Sequence, residues 1–178
     1  MIFWLSTAVV LCVALLLWRV LAAGRAAIAA GGRLLPDFSL PDQHGALRTA
    51  AEFRGRWLVL YFYPRDNTPG CTRQALCFRD ATPEFVAAGA AVCGVSVDDS
   101  GQHAAFARQY ALTHVLLADR DGGLARQLGS LLNLGLIRFA RRNTFLVDPQ
   151  GRVAKVYVGV NPLRNAAEVL ADLKVLKR

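Results

Sequence analysis

The sequence predicts a three-layer α/β domain with a mixed central sheet. Apolar, strand-like runs alternate with stretches of helical periodicity through the middle of the chain, and a hairpin pattern followed by an amphipathic stretch closes it. Alternating strands and helices are typical of parallel strands covered by helices, while a terminal hairpin adds antiparallel strands. After Leu34 we find no internal repeat, low-complexity tract or linker, and the remaining length suits one domain with one core.

The first elements follow from local patterns. Residues 36–40 and 46–48 flank a polar turn, which predicts a small hairpin. Residues 57–63 form an apolar, aromatic run that predicts a buried strand. The stretch 71–88 is predicted to be helical, because small and apolar residues recur on one face at helical spacing. These residues are Ala75, Phe78, Thr82 and Phe85.

Shorter elements alternate along the rest of the chain until the terminal hairpin. They are predicted as a strand at 90–97, a helix at 102–110, a strand at 115–117 and a helix at 121–128. Two apolar runs, 144–147 and 153–158, flank the turn residues 148–152, which is the pattern of a hairpin. The amphipathic stretch 165–176 predicts a closing helix.

The N-terminus carries a long apolar segment. The run from Ile2 to Ala23 reaches the length of about 20 residues that a bilayer-spanning helix needs. No Lys or Arg precedes this run, whereas Arg19 follows its apolar part at residues 2–18 and Arg25 and Arg33 lie beyond its end. By the positive-inside rule this pattern places the following domain in the cytoplasm. A cleaved signal peptide with an exported, periplasmic domain is the alternative, although a signal peptide normally begins with a basic region.

These observations divide the chain into three parts. We expect a transmembrane anchor at 1–23, a tether at 24–33 and a globular domain at 34–178. The expected location is therefore a single-pass membrane protein whose N-terminal helix contacts the membrane and whose domain lies in the cytoplasm.

Composition argues against nucleic-acid and metal functions. The net charge is +8, but Lys and Arg are dispersed without a basic helix stripe or interleaved aromatic residues, so we expect no nucleic-acid partner. A basic domain beside an anionic leaflet explains the charge. The four cysteines are irregularly spaced without a Cys-x-x-Cys pair, and the three histidines are scattered. We therefore expect no disulfide framework, no metal site and no cofactor.

The candidate nucleophile is Cys71. It follows the buried run 57–63 and a turn rich in Pro, Asn and Gly, and it opens the predicted helix. A cysteine in a first helical turn lies among free backbone N–H groups at the positive end of the helix dipole, which favours the reactive thiolate. The alternative is a buried structural cysteine, which is the commonest environment of a free thiol.

Four ordered blocks of sequence resemble the peroxiredoxins, and most closely their bacterioferritin-comigratory or Q-type subfamily. The blocks are 63–80, 94–98, 116–119 and 142–151, within a resemblance that covers about Leu34 to Leu173. It implies a thioredoxin-like fold and a thiol-dependent peroxidase that reduces hydrogen peroxide and organic hydroperoxides through a cysteine sulfenic acid. Thioredoxin or a similar thiol reductant would recycle the enzyme.

The resemblance also carries catalytic roles onto Pro64, Thr68, Cys71 and Arg142. Cys71 is the nucleophile, and the Thr68 hydroxyl lies near the sulfur and a peroxide oxygen. Arg142 supplies a fixed positive charge, and Pro64 shields the thiolate from water. Without the resemblance, the preferred interpretations would be a simple helix N-cap for Thr68 and a solvated surface arginine for Arg142.

The resolving cysteine departs from the family pattern. In the subfamily it stands five residues after the nucleophile, but that position here is Leu76 and Cys77 follows it. On an intact helix Cys77 would lie about 120° around the axis and roughly 9 Å along it from Cys71. This separation exceeds the reach of a disulfide, so bonding requires the first turns to unwind. We expect Cys77 to be the resolving cysteine, with one-cysteine chemistry as the alternative and Cys93 as a buried filler.

Two other functions share the predicted fold. A membrane-tethered thiol–disulfide oxidoreductase normally uses Cys-x-x-Cys, and Thr68 occupies the position of the first cysteine. A non-catalytic thioredoxin-like redox sensor would have no need for Thr68 and Arg142 together with Cys71. The sequence favours the peroxidase, and it leaves the oligomeric state open with a monomer preferred.

Overall fold

A five-stranded mixed sheet organises the chain, and we describe it from a computed structural model. The structure describes residues 10, 11, 13–15, 17, 18, 22, 26, 27, 29–135 and 137–177. The strands are β1 (Ser39–Pro41), β2 (Leu47–Thr49), β3 (Trp57–Phe62), β4 (Ala90–Ser96), β5 (Val115–Ala118), β6 (Leu131–Asn133), β7 (Arg138–Ala140), β8 (Thr144–Val147) and β9 (Val153–Tyr157). The helices are α1 (Pro69–Ala87), α2 (Ser100–Gln109), α3 (Gly123–Gln127) and α4 (Asn165–Leu176), with a 3₁₀ helix at Ala50–Phe53.

The order of strands in the main sheet is β5-β4-β3-β8-β9. Strands β3, β4 and β5 are parallel, whereas β8 pairs antiparallel with β3 and β9 pairs antiparallel with β8. The predicted mixed α/β sheet is therefore confirmed. The parallel half comes from strands joined through helices, and the antiparallel half contains the terminal hairpin.

Strand β3 divides the core between the two faces of the sheet. Its side chains alternate, so Leu58, Leu60 and Phe62 join one core cluster, and Val59 and Tyr61 join the other. The second cluster also contains Cys71, Phe78 and Phe85 of α1 and Val169 and Leu173 of α4. Helices α1 and α4 thus pack on one face of the sheet, and α1 carries the candidate nucleophile.

Helix α1 begins two residues before the position that the sequence predicts. Pro69 is its first residue, since a fixed φ and a missing N–H are both suited to the start of a helix. Thr68 is the N-cap residue in extended conformation, and Cys71 lies in the first turn. The local environment expected for a first-turn cysteine is therefore present.

The sequence patterns missed two elements, the 3₁₀ helix and the hairpin of β6 and β7. Strands β6 and β7 have three residues each and form a separate two-stranded sheet. Such short strands do not display enough alternation to be distinguished from a loop.

The prediction of a membrane location is wrong. The predicted span at 1–23 falls largely outside the described residues, and within the described ranges no helix has the length and apolar character required to cross a bilayer. Further along, Ala27 and Ala30 are buried in the same core cluster as Leu128. A Cβ at Gly129 would clash with the backbone nitrogen of Ala27, which shows how closely the chain around Ala27 packs on the domain. The prediction rested on apolar composition and length, and neither property alone establishes that a segment forms a membrane-spanning helix.

Candidate active site

Cys71 is buried in the first turn of α1. Its side chain is 1% exposed, and it belongs to the core cluster that contains Tyr61, Tyr63 and Phe78. The helix begins directly after the loop that follows β3, so the sulfur is held near the carboxyl edge of the sheet. The aromatic packing excludes bulk water from one side of the thiol.

Strand pairing brings Arg142 to this sulfur across 71 residues of sequence. Thr144, the first residue of β8, pairs with Tyr61 near the end of β3. Arg142 therefore emerges beside the loop that leads to α1. Its Nη2 donates to Cys71 Sγ at 3.5 Å. The structure thus brings together the two residues on which the predicted chemistry depends most.

Gly70 makes room for this contact. A Cβ at this position would lie 3.1 Å from Arg142 Nη2, which is a tight approach to a group held by other bonds. A larger residue at 70 would push the guanidinium away from the sulfur. The sequence shows this glycine only as part of the turn before Cys71, and its partner becomes apparent only in three dimensions.

A buried amide chain fixes the orientation of Arg142. Gln74 Oε1 accepts from Arg142 Nη1 at 2.8 Å, and Gln74 Nε2 donates to Asn165 Oδ1 at 3.1 Å. Thr144 Oγ1 donates to the same Asn165 oxygen at 2.7 Å. Gln74, Thr144 and Asn165 are all fully buried. Because the guanidinium only donates, the orientation of both amides follows from Arg142.

The sequence analysis missed Gln74 and Asn165. A signal for Gln74 was present, since it stands three residues after Cys71 and so faces the same side of α1. Asn165 carried no such signal, because it reaches the site from the first residue of α4. Its Nδ2 is buried without a hydrogen-bond partner within the part of the chain that the structure describes.

Thr68 and Pro64 line the loop between β3 and α1, and both are half-buried. Thr68 occupies the N-cap position, yet its side chain makes no capping hydrogen bond. The Thr68 hydroxyl instead donates to the Arg65 carbonyl at 3.0 Å. The hydroxyl is thus turned toward its own loop, and the backbone of Thr68 performs the helix-starting role.

Cys77 lies on the intact helix α1 and is half-buried. Its Sγ donates to the Leu163 carbonyl at 3.8 Å. Burial, with a smaller contribution from Asp80, raises the pKa of the Cys77 thiol. Cys71, Cys77 and Cys93 are all free thiols. The helix therefore holds the predicted resolving cysteine apart from the nucleophile, as its geometry requires.

Comparison with known proteins places the chain in a family. Residues 32–156 match the model of the AhpC/TSA family. The chloroplastic peroxiredoxin Q of Gentiana triflora is 42% identical over 126 residues, which are 71% of this chain and 58% of that protein. A peroxiredoxin bcp of Coxiella burnetii is 35% identical over 148 residues, which are 80% of this chain and 97% of the relative.

The solved structures agree with these sequence relatives. The Xanthomonas campestris bacterioferritin comigratory protein, studied for alkyl peroxide reduction, superposes with a TM-score of 0.74 at 34% identity, covering 79% of this chain and 92% of that one. The relatives give the membrane location no support, since the Gentiana protein is chloroplastic. This chain covers less than two thirds of the Gentiana protein, but nearly all of the Coxiella and Xanthomonas proteins. The chain therefore belongs to the AhpC/TSA family, within its peroxiredoxin Q/bcp group, and has the thioredoxin-like fold of that group.

Proposed function

We propose that this protein is a thiol-dependent peroxidase that reduces hydrogen peroxide and organic hydroperoxides. The observation that carries the proposal is the contact of 3.5 Å between Arg142 Nη2 and Cys71 Sγ, in the first turn of a helix and within a core cluster rich in aromatic side chains. A fixed cation and a helix N-terminus both favour a thiolate at this position. A structural cysteine would have no need of a guanidinium that two buried amides hold in place.

In the proposed reaction the Cys71 thiolate attacks one oxygen of the peroxide. The S–O bond forms while the O–O bond breaks, and the departing oxygen takes up a proton and leaves as water or an alcohol. Cys71 is thereby oxidised to a sulfenic acid and the peroxide is reduced. Arg142 stabilises the thiolate and the negative charge that develops on the departing oxygen. Its Nη1 bond to Gln74 keeps the guanidinium in the required orientation.

Thr68 and Pro64 have supporting roles in this proposal. The Thr68 hydroxyl can rotate from the Arg65 carbonyl toward a bound peroxide, because a single χ1 change moves it between staggered positions. Pro64 stiffens the loop and limits the access of water to the sulfur. Both residues lie on the segment that connects β3 to the nucleophile, so both can contact a substrate that reaches Cys71.

Recycling of the sulfenic acid is assigned to Cys77 and an external thiol. The Cys77 thiol attacks the sulfenic sulfur, water is released, and a Cys71–Cys77 disulfide forms. Two thiols of thioredoxin or a similar reductant then restore both cysteines and become a disulfide themselves. The first turns of α1 must unwind for this step, because the helix is intact through both cysteines.

Organic hydroperoxides suit the surroundings of the site. The segment after β9 carries the exposed side chains of Val158 and Leu163. The Val160 N–H donates to the Arg142 carbonyl at 2.9 Å, and the Leu163 carbonyl accepts from Cys77. This segment therefore lies beside the reacting groups and offers apolar surface to an alkyl chain. The Xanthomonas campestris relative acts in alkyl peroxide reduction.

The test is peroxide consumption by the full chain with and without a thioredoxin system. We expect stoichiometric oxidation of Cys71 by hydrogen peroxide and by cumene hydroperoxide, and catalytic turnover only when the reductant is present. An insulin-reduction assay on the same sample measures the competing thiol–disulfide oxidoreductase activity, which we expect to be absent. Insulin reduction without peroxide consumption would contradict the peroxidase assignment.

A further inference from the structure

A buried polar cluster lies directly beneath the loop that leads to Cys71. We call it the loop anchor; its members are Tyr63, Asp66, Ser96, Asp98 and His103. Each of these side chains is at most 7% exposed. Tyr63 follows β3, Ser96 and Asp98 lie at and after the end of β4, and His103 lies on α2. The anchor therefore occupies the carboxyl edge of the parallel strands, where a loop can be tied to several rigid elements at once.

Asp66 is the member that belongs to the loop itself. Its backbone N–H donates to Asp98 Oδ2 at 2.8 Å. Its Oδ1 accepts from the Tyr63 hydroxyl at 2.8 Å, and its Oδ2 lies 2.7 Å from His103 Nδ1. One residue in the middle of residues 64–68 is thus held from three directions by groups outside that stretch.

The protons of this cluster follow from its partners. His103 Nε2 lies 3.2 Å from the Leu117 carbonyl, and a carbonyl only accepts, so Nε2 carries a proton. A proton must also lie between His103 Nδ1 and Asp66 Oδ2, since two lone pairs at 2.7 Å would repel.

The remaining carboxylate of the anchor is satisfied as well. Asp98 Oδ2 accepts from the Ser96 hydroxyl at 2.7 Å in addition to the Asp66 N–H. Asp66, Asp98 and His103 offer oxygen and nitrogen atoms within 4.8 Å of one another, a spacing that could suit a metal ion. However, these atoms already form hydrogen bonds with other members of the cluster, so we interpret it as a hydrogen-bond network.

We propose that Asp66 is a positioning residue for the peroxide reaction. By fixing the centre of the loop, it sets where Thr68 and Cys71 stand relative to Arg142. This inference rests on the proposed peroxidase function. Two features indicate that Asp66 positions the reacting groups in addition to stabilising the fold. Asn67 adopts a left-handed conformation with φ of 59°, so the chain turns sharply between Asp66 and Thr68. Thr68 then starts helix α1, so a shift of Asp66 moves the N-cap and the nucleophile together.

The chain provides a matched pair of variants to test this role. Tyr61 and Tyr63 are both buried. The Tyr63 hydroxyl donates to Asp66 at 2.8 Å, and the Tyr61 hydroxyl is hydrogen-bonded to His114 Nε2 at the same distance of 2.8 Å. Tyr63→Phe and Tyr61→Phe each remove one hydroxyl and keep the aromatic ring, so the core cluster around Cys71 keeps its packing in both variants and only the hydrogen bonds differ. Only the first touches the loop.

The measurement is the second-order rate of Cys71 oxidation by hydrogen peroxide in stopped flow, with the melting temperature recorded for every variant. We expect Tyr63→Phe to slow oxidation about 10-fold and Asp66→Ala about 100-fold, because small misplacements of reacting groups have effects of this size. Tyr61→Phe should remain within about 2-fold of wild type even if it lowers the melting temperature equally. Equal rate losses for the two tyrosine variants would overturn the proposal.

A conservative substitution distinguishes hydrogen-bond geometry from charge. In Asp66→Asn the amide oxygen can accept from Tyr63, and the amide nitrogen can donate to Nδ1 of a neutral His103. We expect this variant to retain wild-type oxidation within about 3-fold, since the anchor keeps its hydrogen bonds. A loss as large as that of Asp66→Ala would overturn the positioning role, as would wild-type rates in Asp66→Ala.

The same variants distinguish a failure of the positioning role from a failure of the proposed peroxidase function. If wild type and Tyr61→Phe also fail to react with peroxide, the proposed function falls and the positioning role with it. If they react at normal rates and Asp66→Ala reacts equally fast, only the positioning role falls.

Discussion

Cys71 and Cys93 are both almost completely buried, yet their surroundings differ in kind. Cys93 is 0% exposed in the middle of β4, paired with Leu60 on one side and Val115 on the other. Burial there raises the pKa of its thiol to about 12. Cys71 is 1% exposed, but it lies in the first turn of a helix and accepts from Arg142. Exclusion of water alone makes a cysteine inert, whereas exclusion of water beside a fixed cation prepares it to react.

Substituting each cysteine in turn is the strongest test of the difference between Cys71 and Cys93. Cys71→Ser should lower peroxidase turnover by about 10⁴-fold or more, because the nucleophile itself is lost. Cys93→Ala should leave turnover unchanged and lower the free energy of unfolding by about 1 kcal/mol. Steady-state peroxide consumption and urea denaturation measure the two effects. Wild-type turnover in Cys71→Ser would refute the central assignment.

The next largest effect should come from the cation that distinguishes the two sites. Arg142→Ala is expected to slow Cys71 oxidation by about 10²–10³-fold, since it removes a preorganised donor from the developing charge. Arg141→Ala is the control, because Arg141 is the neighbour in sequence and is half-buried like Arg142, while the guanidinium that donates to the sulfur is that of Arg142. Stopped-flow rates at several salt concentrations would compare them. Similar losses in both variants would indicate a diffuse electrostatic effect instead of a specific contact.

A smaller effect should follow from loss of the amide that orients the guanidinium. Gln74→Ala should slow oxidation about 10-fold, because Arg142 keeps its charge but loses the acceptor of its Nη1 group. Gln109→Ala is a suitable control, since Gln109 is an exposed glutamine at the end of α2. The prediction fails if the two glutamine variants oxidise at the same rate.

The resolving step can be examined separately from the peroxide step. Cys77→Ser should leave the first oxidation of Cys71 within about 2-fold of wild type, because Cys77 donates to Leu163 and not to the reacting groups. Turnover with thioredoxin should fall, and mass spectrometry should find overoxidised Cys71. Peptide mapping of oxidised wild type should find a Cys71–Cys77 disulfide. Normal turnover in Cys77→Ser would favour one-cysteine chemistry.

The smallest effect on activity should come from Cys93, whose burial instead predicts a contribution to the pH dependence of stability. Its folded pKa of about 12 lies above the reference value of 9.0, so folding favours the protonated thiol. Its contribution to the free energy of unfolding is therefore complete below pH 9 and is lost as the pH rises toward 12. Denaturation between these pH values should show a shallower decline for Cys93→Ala than for wild type. Parallel curves would contradict the assignment.

Sequence patterns predicted the main sheet and its helices because their signals are local. The apolar alternation of β3 and the helical spacing of α1 are both visible within a short window. The roles of Cys71 and Arg142 came instead from resemblance to a family. Neither source could indicate Asn165 or Asp66, because their partners stand on other elements and depend on how those elements pack. The N-terminal assignment failed because apolar composition and length alone do not establish a membrane-spanning helix.

The pairing of Thr144 with Tyr61 has a consequence for how this protein can change. The sheet fixes the distance between the nucleophile and its cation, so the number of residues between them in the sequence can change without altering that distance. An insertion at the tip of the β6–β7 hairpin, near the exposed Gly135, lengthens the path between Cys71 and Arg142 without moving either. A single residue inserted within β8 would instead turn its side chains to the opposite face of the sheet. Natural and engineered insertions should therefore be tolerated at the hairpin tip and not tolerated within β8.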